Sequence, residues 1–391
     1  MSHTTFADLG VSRPVRTTLE RRGIDTPFPI QALVIGDVLA GHDVLAKSPT
    51  GSGKTLAFAI PLVERTQPRG RGRGPGALVL VPTRELAAQV VDDLEAIAQA
   101  KNLRTLAVYG GVSLNRQAGL ARSADILVAT PGRLEDLIAR GAVDLGAVGM
   151  LILDEADRML DMGFRPAVDR IVGRVPARRQ TMFFSATLDG DVGRIAHAYT
   201  HQARRHEIVP TVTSTAATEH RFIRAHNDGK VDLLIQTLAE EERGLALVFV
   251  RTKHGADRLV KRLGREGVDA VAMHGNKSQS QREKALARFE AGRVDTLVAT
   301  DVAARGIDVD HITHVINYDP PAGREDYIHR VGRTARAGRS GVGITFVGTE
   351  HVGDMAKVAR ELSLEEEFHR GGLRSTPSSG HQPHRARRRR R

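Results

Sequence analysis

Short apolar runs alternate with segments of helical periodicity along most of the chain. In the first half, branched and aliphatic residues cluster at 44–46, 77–81, 105–109, 126–129, 150–153 and 181–184. Amphipathic segments lie between them, for example at 54–65, 85–99 and 134–139. Repeated strand and helix patterns are typical of a sheet of parallel strands covered by helices. The pattern therefore predicts an α/β domain with a mainly parallel sheet.

This alternation pauses and then starts again, which predicts two domains in tandem. The stretch 209–219 is rich in Thr, Ser and Ala and is typical of a linker. Beyond it, strands are predicted at 245–250, 270–274, 296–299, 314–317 and 343–347, and helices at 255–264, 279–291 and 326–332. We predict a first domain over 1–208 and a second over 220–368. The tail, 369–391, should be disordered because it cannot bury a core.

The composition supports two globular domains. The chain has 391 residues, of which 41% are hydrophobic and 26% charged, and one core rarely grows beyond about 250–300 residues. It contains no cysteine, which excludes disulfides, thiolate metal sites and cysteine nucleophiles. No apolar stretch approaches the ~20 residues of a membrane span, and the N-terminus does not resemble a signal peptide. We expect a cytoplasmic, monomeric protein without membrane association.

The net charge of +11 is concentrated at the C-terminus. Residues 369–391 hold eight arginines and no acidic residue or lysine, which leaves +3 for residues 1–368. The tail is therefore either a sequence-independent RNA tether or a solubilising end. A second arginine-rich feature, the Arg-Gly segment 69–76, predicts a mobile loop, with RNA contact as the less favoured interpretation.

Two adjacent carboxylates, Asp154 and Glu155, stop the apolar run 150–153, and a third follows at Asp157. A buried parallel strand places such groups at its carboxyl end, where α/β sheets bind phosphates. In P-loop enzymes an acidic residue there holds Mg²⁺, and a neighbouring carboxylate can orient the attacking water. An aspartate that caps the next helix would give a similar pattern. The rest of the chain must decide between these interpretations.

The segment 48–55, SPTGSGKT, supplies a phosphate site for these carboxylates. It follows the predicted strand 44–46 and opens a helix, which is the context that a P-loop requires. Lys54 would reach the β- and γ-phosphates, Thr55 would ligate Mg²⁺, and backbone amides would wrap the phosphates. Ser48 stands where the general pattern has its first glycine. A flexible glycine-rich turn without a ligand is the weaker interpretation.

Further motifs, in order, resemble the DEAD-box family of ATP-dependent RNA helicases, in superfamily 2, over about residues 6–350. The first-domain matches are Phe6, 23–31 (GIDTPFPIQ), 82–86 (PTREL), 110–111 (GG), 130–133 (TPGR), 154–157 (DEAD) and 185–187 (SAT). The second-domain matches are 248–252 (VFVRT), 279–282 (QSQR), 299–308 (ATDVAARGID) and 329–338 (HRVGRTARAG). The resemblance implies two RecA-like domains, ATP and Mg²⁺ as cofactors, and RNA as a partner.

The resemblance also implies roles for single residues. For catalysis these are Lys54, Asp154, Glu155, His329, Arg333 and Arg336, with Thr55 and Asp154 on the metal. For nucleotide binding they are Phe6, Ile24, Gln31, Ser48, Pro49, Thr50, Gly51, Ser52, Gly53, Lys54, Thr55, Gly306, Asp308, Arg333 and Arg336. For RNA binding they are Pro82, Thr83, Arg84, Gly110, Gly111, Thr130, Pro131, Gly132, Arg133, Arg251, Gln279, Arg282 and Thr300. For coupling between motifs they are Asp157, Ser185, Thr187, Asp301, Arg305 and Arg330.

The second domain is expected to bring positive charge to the phosphates. Arg333 and Arg336, three apart on a predicted helix start, would share a face and resemble the arginine fingers of the family. His329 and Arg330 would tie the interface to the first domain.

The sequence departs from the family pattern near the base. Ile24 stands where the family has an aromatic that stacks on adenine, and Phe28 where it has a small hydroxyl residue. Gln31 can still read the adenine edge, while stacking on adenine becomes aliphatic packing. Ala335, where glycine is common, is a third departure, with less consequence.

RNA contact is expected at phosphate and sugar. Aromatic content is 4% with no tryptophan, so stacking platforms are not expected, and backbone contact gives little sequence preference. Three functions stay open: an RNA-stimulated ATPase that unwinds short duplexes by domain closure, an ATP-gated RNA clamp or RNP-remodelling platform, and a passive RNA binder. Partners in ribosome assembly and in RNA decay are equally compatible with the residues.

Overall fold

The computed structural model contains two parallel sheets, each flanked by helices. It describes residues 4–48, 52–70, 72, 74–208, 218–226, 228–239, 243–304, 309, 311–335 and 339–374. Several residues with predicted roles lie outside the described residues, namely Pro49, Thr50, Gly51, Arg305, Gly306, Asp308 and Arg336. Within the described part of the chain, no helix is both long and apolar enough to cross a membrane.

The first sheet has the strand order β3-β4-β2-β5-β6-β1-β7, and its paired strands are parallel. Its strands are β1 Val44–Lys47, β2 Ala77–Leu80, β3 Thr105–Val108, β4 Ile126–Ala129, β5 Met150–Leu153, β6 Gln180–Ser185 and β7 Arg204–Glu207. Its helices are α1 Arg13–Arg21, α2 Pro29–Leu39, α3 Lys54–Arg65, α4 Arg84–Gln99, α5 Leu114–Ala121, α6 Pro131–Ala139, α7 Ala156–Asp161, α8 Arg165–Val172 and α9 Gly190–Tyr199.

The second sheet has the order β10-β11-β9-β12-β13-β8 and is also parallel. Its strands are β8 Thr218–Arg224, β9 Leu245–Phe249, β10 Ala270–Met273, β11 Thr296–Ala299, β12 Ile312–Asn317 and β13 Gly341–Val347. Its helices are α10 Lys230–Leu238, α11 Lys253–Arg265, α12 Gln279–Glu290, α13 Asp301–Ala304, α14 Arg324–Val331, α15 Val352–Glu361 and α16 Glu365–Arg370, with a 3₁₀ turn at Thr349–His351.

The central strand β5 explains why its sequence is continuously apolar. Ile152 packs into one hydrophobic core, while Leu151 and Leu153 pack into a second core on the other face of the sheet. All three side chains are at most 1% exposed, and burial of such a side chain stabilises the fold by about 1.5–3 kcal/mol. The apolar run therefore continues to the end of the strand, and polar residues begin directly after it at Asp154.

The predicted fold class is confirmed, but the sequence analysis missed two edge strands. β7 has the sequence RRHE and pairs with β1 at the margin of the first sheet. β8 begins at Thr218, so the strand includes the last two residues of the predicted linker 209–219. Edge strands are partly solvated, so neither carries the apolar run by which a central strand is recognised.

The predicted start of the tail at residue 369 is wrong. Helix α16 continues to Arg370, and Leu373 is fully buried in a core cluster with Phe222 and Phe368. The Arg224 guanidinium also donates to the Gly372 carbonyl oxygen at 3.1 Å. Composition did not reveal this anchor because a single leucine in a polar segment carries it. Residues 375–391, with the terminal arginines, lie outside the described residues.

The described residues of the Arg-Gly segment are anchored rather than free, in contrast to the predicted mobile loop. The amides of Arg69 and Gly76 donate to Asp125, and Gly72 donates to the Arg122 carbonyl oxygen, each at 2.8 Å. These contacts lie at the amino ends of β2 and β4. The described residues of the segment therefore lie at the opposite edge of the sheet from the motifs that follow the strands, and RNA contact there stays a prediction.

Candidate active site

Three neighbouring strands of the first sheet end at the candidate phosphate site. β5, β6 and β1 are adjacent and parallel. Their carboxyl ends therefore bring Asp154, Ser185 and Ser48 to one edge of the sheet. Open α/β sheets bind their ligands at this edge.

The described part of the P-loop is held by its own polar groups. Lys54 is the first residue of α3, and its Nζ donates to the Ser48 carbonyl oxygen at 3.0 Å. The hydroxyls of Ser48 and Ser52 are in contact. Lys54 is 8% exposed, so its side chain is buried beside Ser48 at a helix N-terminus. That position suits phosphate oxygens.

Helix α2 is tied to the P-loop through Gln31. Its Nε2 donates to the Gly53 carbonyl oxygen at 3.0 Å, and its Oε1 accepts from the Phe28 amide at 2.9 Å. The Phe28 ring is 53% exposed, which leaves an apolar surface beside the loop. To read an adenine edge, the Gln31 side chain would have to exchange at least one of these two bonds.

The two other residues predicted to meet the base differ from each other in burial. Phe6 is 4% exposed and belongs to the core of the first domain. Ile24 is half-buried and packs against the same core. Phe6 is therefore a core residue in this structure, whereas Ile24 keeps an accessible surface, and contact of either residue with a base stays a prediction.

Asp154 is buried beside Lys54, with an exposed fraction of 3%. Burial raises the pKa of its carboxyl to about 6, although the positive charge of Lys54 opposes the rise. Among the described residues, no group of three His, Asp or Glu side chains could hold a metal alone. A buried carboxylate and the Thr55 hydroxyl nevertheless fit Mg²⁺, which usually takes further ligands from substrate phosphates and water.

Glu155 adopts a left-handed backbone conformation, with φ of +48°, and is 6% exposed. Its Oε2 lies 3.4 Å from Nη1 of Arg158, which is on α7 and is 3% exposed. Burial raises the pKa of the Glu155 carboxyl, but Arg158 and Arg333 more than offset this, so the pKa lies below its ordinary value. Glu155 is therefore held ionised in a buried, cationic environment.

The remaining polar groups of this edge connect one motif to the next. The Asp157 carboxylate accepts from the Ala186 amide at 3.0 Å, which joins the helix after β5 to the turn after β6. Within that turn, the Ser185 hydroxyl accepts from the Thr187 amide at 3.3 Å. The Thr187 hydroxyl in turn contacts Asp189. These bonds give Asp157 and Ser185 positions that suit the predicted coupling between motifs.

The second domain meets the first at a seam that contains Glu155 and Arg158. His329 and Arg333 line a small cavity together with Arg158. Burial, with Arg158 and Arg333 as neighbours, lowers the pKa of His329 to about 3. Burial and Arg158 also lower the pKa of Arg333 to about 9. His329 is therefore neutral at physiological pH, while Arg333 stays charged although its side chain is buried at the interface.

Two expectations for this segment need correction. Arg333 does not lie at a helix start, because α14 ends at Val331 and Gly332 caps it. The hydrogen bonds of Arg330 that involve described residues lie within the second domain: its guanidinium donates to both Asp301 oxygens at 2.6 and 2.8 Å, and to Asn317 and Asp319. Arg330 thus braces the loop after β11 against α14 within the second domain.

On the predicted RNA side of the first domain, arginines pack against a glycine turn. A Cβ at Gly111 would lie 2.2 Å from Nη1 of Arg84, and Gly110 is also in contact with this guanidinium. Arg133 donates to the Val112 carbonyl oxygen at 3.0 Å and to Gln117 at 2.7 Å. The predicted phosphate contacts are therefore organised around the 110–112 turn.

Two short helical starts complete this side of the first domain. The Thr83 hydroxyl, which follows Pro82, accepts from the Leu86 amide at 3.2 Å and caps α4. Thr130 and Pro131 open α6, and a Cβ at Gly132 would meet open space. Helix N-termini of this kind suit phosphate groups, and RNA contact at these two starts stays a prediction.

The second domain contributes its predicted RNA-side residues at three strand ends. Arg282 forms an ion pair with Glu85 of the first domain at 2.9 Å, with both side chains less than 10% exposed. The Gln279 side chain donates through Nε2 to the Glu283 carboxylate. The backbone amide of Thr300 donates to the Met273 carbonyl oxygen. The Arg251 side chain is exposed and reaches His351. Arg282 is thus engaged with the opposite domain rather than open to RNA alone.

The sequence analysis missed two residues of this interface. Arg158 follows the DEAD motif directly, and Glu85 lies inside the PTREL motif, so both stood next to residues that were assigned roles. Their positions in the sequence gave no sign of burial or of partners in the other domain. A buried charge next to a motif becomes informative only when its counter-charge is known.

Two family models match the chain. The model described as DEAD/DEAH box helicase matches residues 28–195, and the model described as helicase conserved C-terminal domain matches residues 229–338. The chain is 40% identical over 365 residues to the DEAD-box ATP-dependent RNA helicase CshA of Geobacillus kaustophilus, covering 93% of this chain and 78% of that relative. It is 39% identical over 344 residues to CshA of Bacillus subtilis, covering 88% and 69%.

Solved structures are similar to the chain over most of its length. Saccharomyces cerevisiae Dbp5 bound to RNA and ADP-BeF3 gives a TM-score of 0.82 at 29% identity, covering 95% of this chain and 94% of that chain. A DEAD box protein from Methanococcus jannaschii gives a TM-score of 0.54 at 35% identity, covering 93% and 98%.

Proposed function

Since the chain belongs to the DEAD-box family of ATP-dependent RNA helicases, we propose that it closes its two domains on ATP and RNA and separates short RNA duplexes locally. As an RNA-dependent ATPase, it converts ATP to ADP and phosphate. The observation that carries the proposal is the seam, where Glu155 of the first domain faces His329 and Arg333 of the second. A hydrolytic site divided between two domains can respond to whatever brings them together.

Hydrolysis requires a water in line with the γ-phosphorus and positive charge around the transferring group. The water oxygen forms a bond to phosphorus, the bond to the bridging oxygen of ADP breaks, and a water proton passes to Glu155 or to solvent. Lys54 and the amides at the start of α3 bind the phosphate oxygens. Mg²⁺, held by Thr55 and Asp154, would supply Lewis-acid stabilisation of the phosphate charge when bound.

The second domain supplies the remaining positive charge. An arginine finger contributes about 10³–10⁵ in rate in enzymes of this kind, and Arg333 and Arg336 are proposed for this role. Neutral His329 can donate or accept a hydrogen bond at the seam without adding charge. Closure would therefore complete the site, and reopening would release the products.

Hydrolysis can be tested with single substitutions in the first domain. We expect Glu155→Gln to lower RNA-stimulated ATPase by about 10²–10⁴, because general acid–base catalysis is worth this much, while RNA binding with an ATP analogue is retained. Lys54→Ala should weaken ATP binding itself. Glu95→Gln, an exposed carboxylate on α4, is the matched control. An ATPase rate that is the same with and without RNA would reject the proposal.

An ATP-gated clamp is the second candidate function, and the buried Glu85–Arg282 ion pair favours it. This pair joins the two domains on the RNA side, so it would hold a closed form around RNA without any strand separation. A strand-displacement assay, run beside ATP-dependent RNA binding, distinguishes the two. ATP-dependent retention of RNA without displacement of a short duplex would favour the clamp.

The protein is proposed to contact RNA at its phosphate and sugar groups. The arginine tail is proposed to act as an additional tether outside the two domains. Removal of residues 375–391 takes away six arginines, and each phosphate they neutralise on single-stranded RNA contributes about 0.7 to the salt slope. The truncated chain should therefore bind RNA more weakly and with a flatter salt dependence. An unchanged slope would leave the tail as a solubilising end.

The biological setting is proposed to be cytoplasmic, with the protein acting as a monomer on RNPs. Ribosome assembly and RNA decay are both compatible with such an activity. RNA and protein that co-purify with the Glu155→Gln form, which should stay closed on its substrate, would identify the process.

A further inference from the structure

Helix α11 of the second domain is strongly basic. It contains five lysine and arginine residues and one acidic residue, a net charge of +4. Residues 1–368 together carry only +3, so the remainder of that range is slightly acidic. A single helix therefore accounts for the net positive charge of the two domains.

The cations of α11 lie on the face that points away from the domain. The opposite face consists of three core side chains that are at most 5% exposed, Ala256, Leu259 and Leu263. Arg258, Lys261 and Arg265 are exposed and follow one another at intervals of three and four residues, so they are neighbours on the outer face. We call these three residues the α11 row. Arg262, also exposed, lies beside it.

The acidic residue of α11 is directed toward another element. Asp257 Oδ1 lies 2.9 Å from Lys277 Nζ and 3.0 Å from His274 Nε2, in the segment after β10. The outer face of α12, by contrast, exposes Glu283 next to Lys284. A solvated surface normally mixes both signs in this way, which makes the α11 row a candidate site for an anionic partner.

The apolar face of α11 restricts the kind of partner. Basic amphipathic helices that bind membranes insert their apolar face between the lipids, but the apolar face of α11 is buried in the core of the second domain. The row is therefore left with a partner that it can bind through charge alone. A polyanion such as RNA has this property, because its phosphates bind exposed lysine and arginine side chains.

The position of α11 favours RNA as this polyanion. The helix begins at the carboxyl edge of the second sheet, directly after the predicted RNA contact Arg251, and Thr252 caps it by accepting from the Gly255 amide at 2.9 Å. At 1.5 Å per residue, the row extends from about 8 to about 18 Å from the start of the helix. It thus continues outward from the predicted RNA side.

We propose that the α11 row binds phosphates of RNA that extends beyond the site between the two domains. Contact through charge is independent of sequence, and it gives long RNA a second point of attachment that short RNA does not reach. The inference rests on the proposed RNA-dependent function and adds to it a contact surface outside the motif residues.

The test compares RNA of two lengths in the presence of an ATP analogue. Single strands of about 10 and about 40 nucleotides are used, because a single-strand site typically covers about 4–16 nucleotides. Dissociation constants and their salt dependence are measured by fluorescence anisotropy for the full-length wild type and for the triple variant Arg258→Gln/Lys261→Gln/Arg265→Gln. Thermal unfolding checks that each variant is folded.

Two control variants separate the row from total charge and from structure. Arg165→Gln/Arg174→Gln/Arg178→Gln removes three exposed arginines from α8 and from the segment before β6 in the first domain. Arg258→Lys/Arg265→Lys keeps the charge of the row but not its guanidinium groups. Both controls should bind long RNA as the wild type does, since a phosphate contact through charge needs only a cation at the row.

We expect the triple variant in α11 to bind the long RNA about threefold or more weakly, the low end of what three exposed ion pairs contribute. Its salt slope on the long RNA should be flatter by about 2, because each phosphate contact on a single strand contributes about 0.7. Its affinity for the short RNA should stay that of the wild type.

The proposal is overturned if the folded triple variant binds long RNA as the wild type does, or if it weakens short and long RNA equally. Unchanged RNA affinity, together with loss of a protein that co-purifies with the wild type, would assign the row to an acidic protein instead. A wild type whose RNA affinity does not respond to the ATP analogue would reject the proposed function, whatever the α11 variants do. The two failures are therefore distinct.

Discussion

Gly53 is a residue of the phosphate site at which a single methyl group should be disruptive. A Cβ there would lie 2.4 Å from Phe28 Cδ2 and 2.7 Å from Gln31 Nε2, and its φ of +84° is left-handed. A left-handed conformation costs most residues about 1–2 kcal/mol. The P-loop thus has room for Gly53 but not for a larger residue, because Phe28 and Gln31 at the start of α2 pack against this position.

We therefore expect Gly53→Ala to destabilise the first domain by at least about 1–2 kcal/mol and to raise the KM for ATP. Unfolding and steady-state ATPase measurements check both effects. Gly36→Ala, on the same helix as Gln31 and with open space around its Cβ, should be neutral or stabilising by up to about 1 kcal/mol. Equal behaviour of the two variants would contradict the steric argument.

The charge state of His329 predicts how acid acts on closure. Burial lowers the pKa of this imidazole to about 3, with Arg158 and Arg333 as further causes, whereas an exposed histidine has a pKa of about 6.5. Between these values the open form binds more protons than the closed form. Acid therefore favours opening, and closure weakens as the pH falls below about 6.5.

The difference in the pKa of His329 between the closed and open forms should weaken closure about tenfold at pH 5.5 relative to pH 7.5. Closure is measured as the affinity for RNA in the presence of an ATP analogue. The pKa of Asp154 is raised to about 6, so it titrates in the same range, and the comparison must be made between variants. In His329→Gln, closure should weaken much less as the pH falls, because the titrating imidazole is gone. His254 is an exposed histidine on α11, and His254→Gln should keep the full pH dependence of the wild type. The same pH profile in both variants would contradict this assignment.

At the scale of elements, the C-terminal helix α16 and the residues after it cover the edge strand β8. The Gly371 backbone packs so closely on β8 that a Cβ there would collide with the Phe222 carbonyl oxygen. Phe222, Phe368 and Leu373 share one core cluster. Residues 369–374, which sequence analysis placed in the tail, therefore belong to the second domain.

Leu373→Ala should destabilise the second domain by about 2–5 kcal/mol, the range for a buried leucine. Leu120→Ala, at an exposed leucine on α5, should change stability by no more than about 0.5 kcal/mol. Denaturant unfolding of the two variants measures the difference. If Leu373→Ala had no effect, the residues after α16 would not be part of the domain.

For the whole molecule, the Glu85–Arg282 ion pair is a described contact that spans the two domains on the predicted RNA side. Burial raises the pKa of the Glu85 carboxyl even though Arg282 opposes the rise, and burial likewise lowers the pKa of Arg282. For both side chains, the effect of desolvation on the pKa thus exceeds the effect of the partner's opposite charge. Such a pair is costly to break on one side, which leaves a buried charge.

We expect Glu85→Gln to weaken RNA binding with an ATP analogue while thermal stability stays unchanged, because the open form exposes both groups to water. A double-mutant cycle with Arg282→Met should give a coupling of about 0.5–3 kcal/mol, as for contacting residues. Glu95→Gln again serves as the exposed control. If Arg282 acted on RNA alone, Glu85→Gln would not weaken binding and the cycle would be additive.

Local sequence was sufficient for the fold class, for the central strands and for the phosphate edge. The run before Asp154 is apolar because both faces of β5 are buried, and the P-loop follows a strand and opens a helix; both signals lie within a few neighbouring residues. The edge strands β7 and β8 carry no such signal, because half of their surface is solvated and polar residues are tolerated there.

What the sequence determined by itself was which chemical groups stand at the ends of which strands, since periodicity and spacing are local properties. What only the tertiary structure decided was which of these groups share a buried environment. Arg158 and Glu85 lie beside assigned motifs, yet Glu85 pairs with Arg282 of the second domain, and Arg158 lines a cavity with His329 and Arg333 of that domain. Burial and pairing of charges depend on packing between residues far apart in the chain, and no local pattern encodes them.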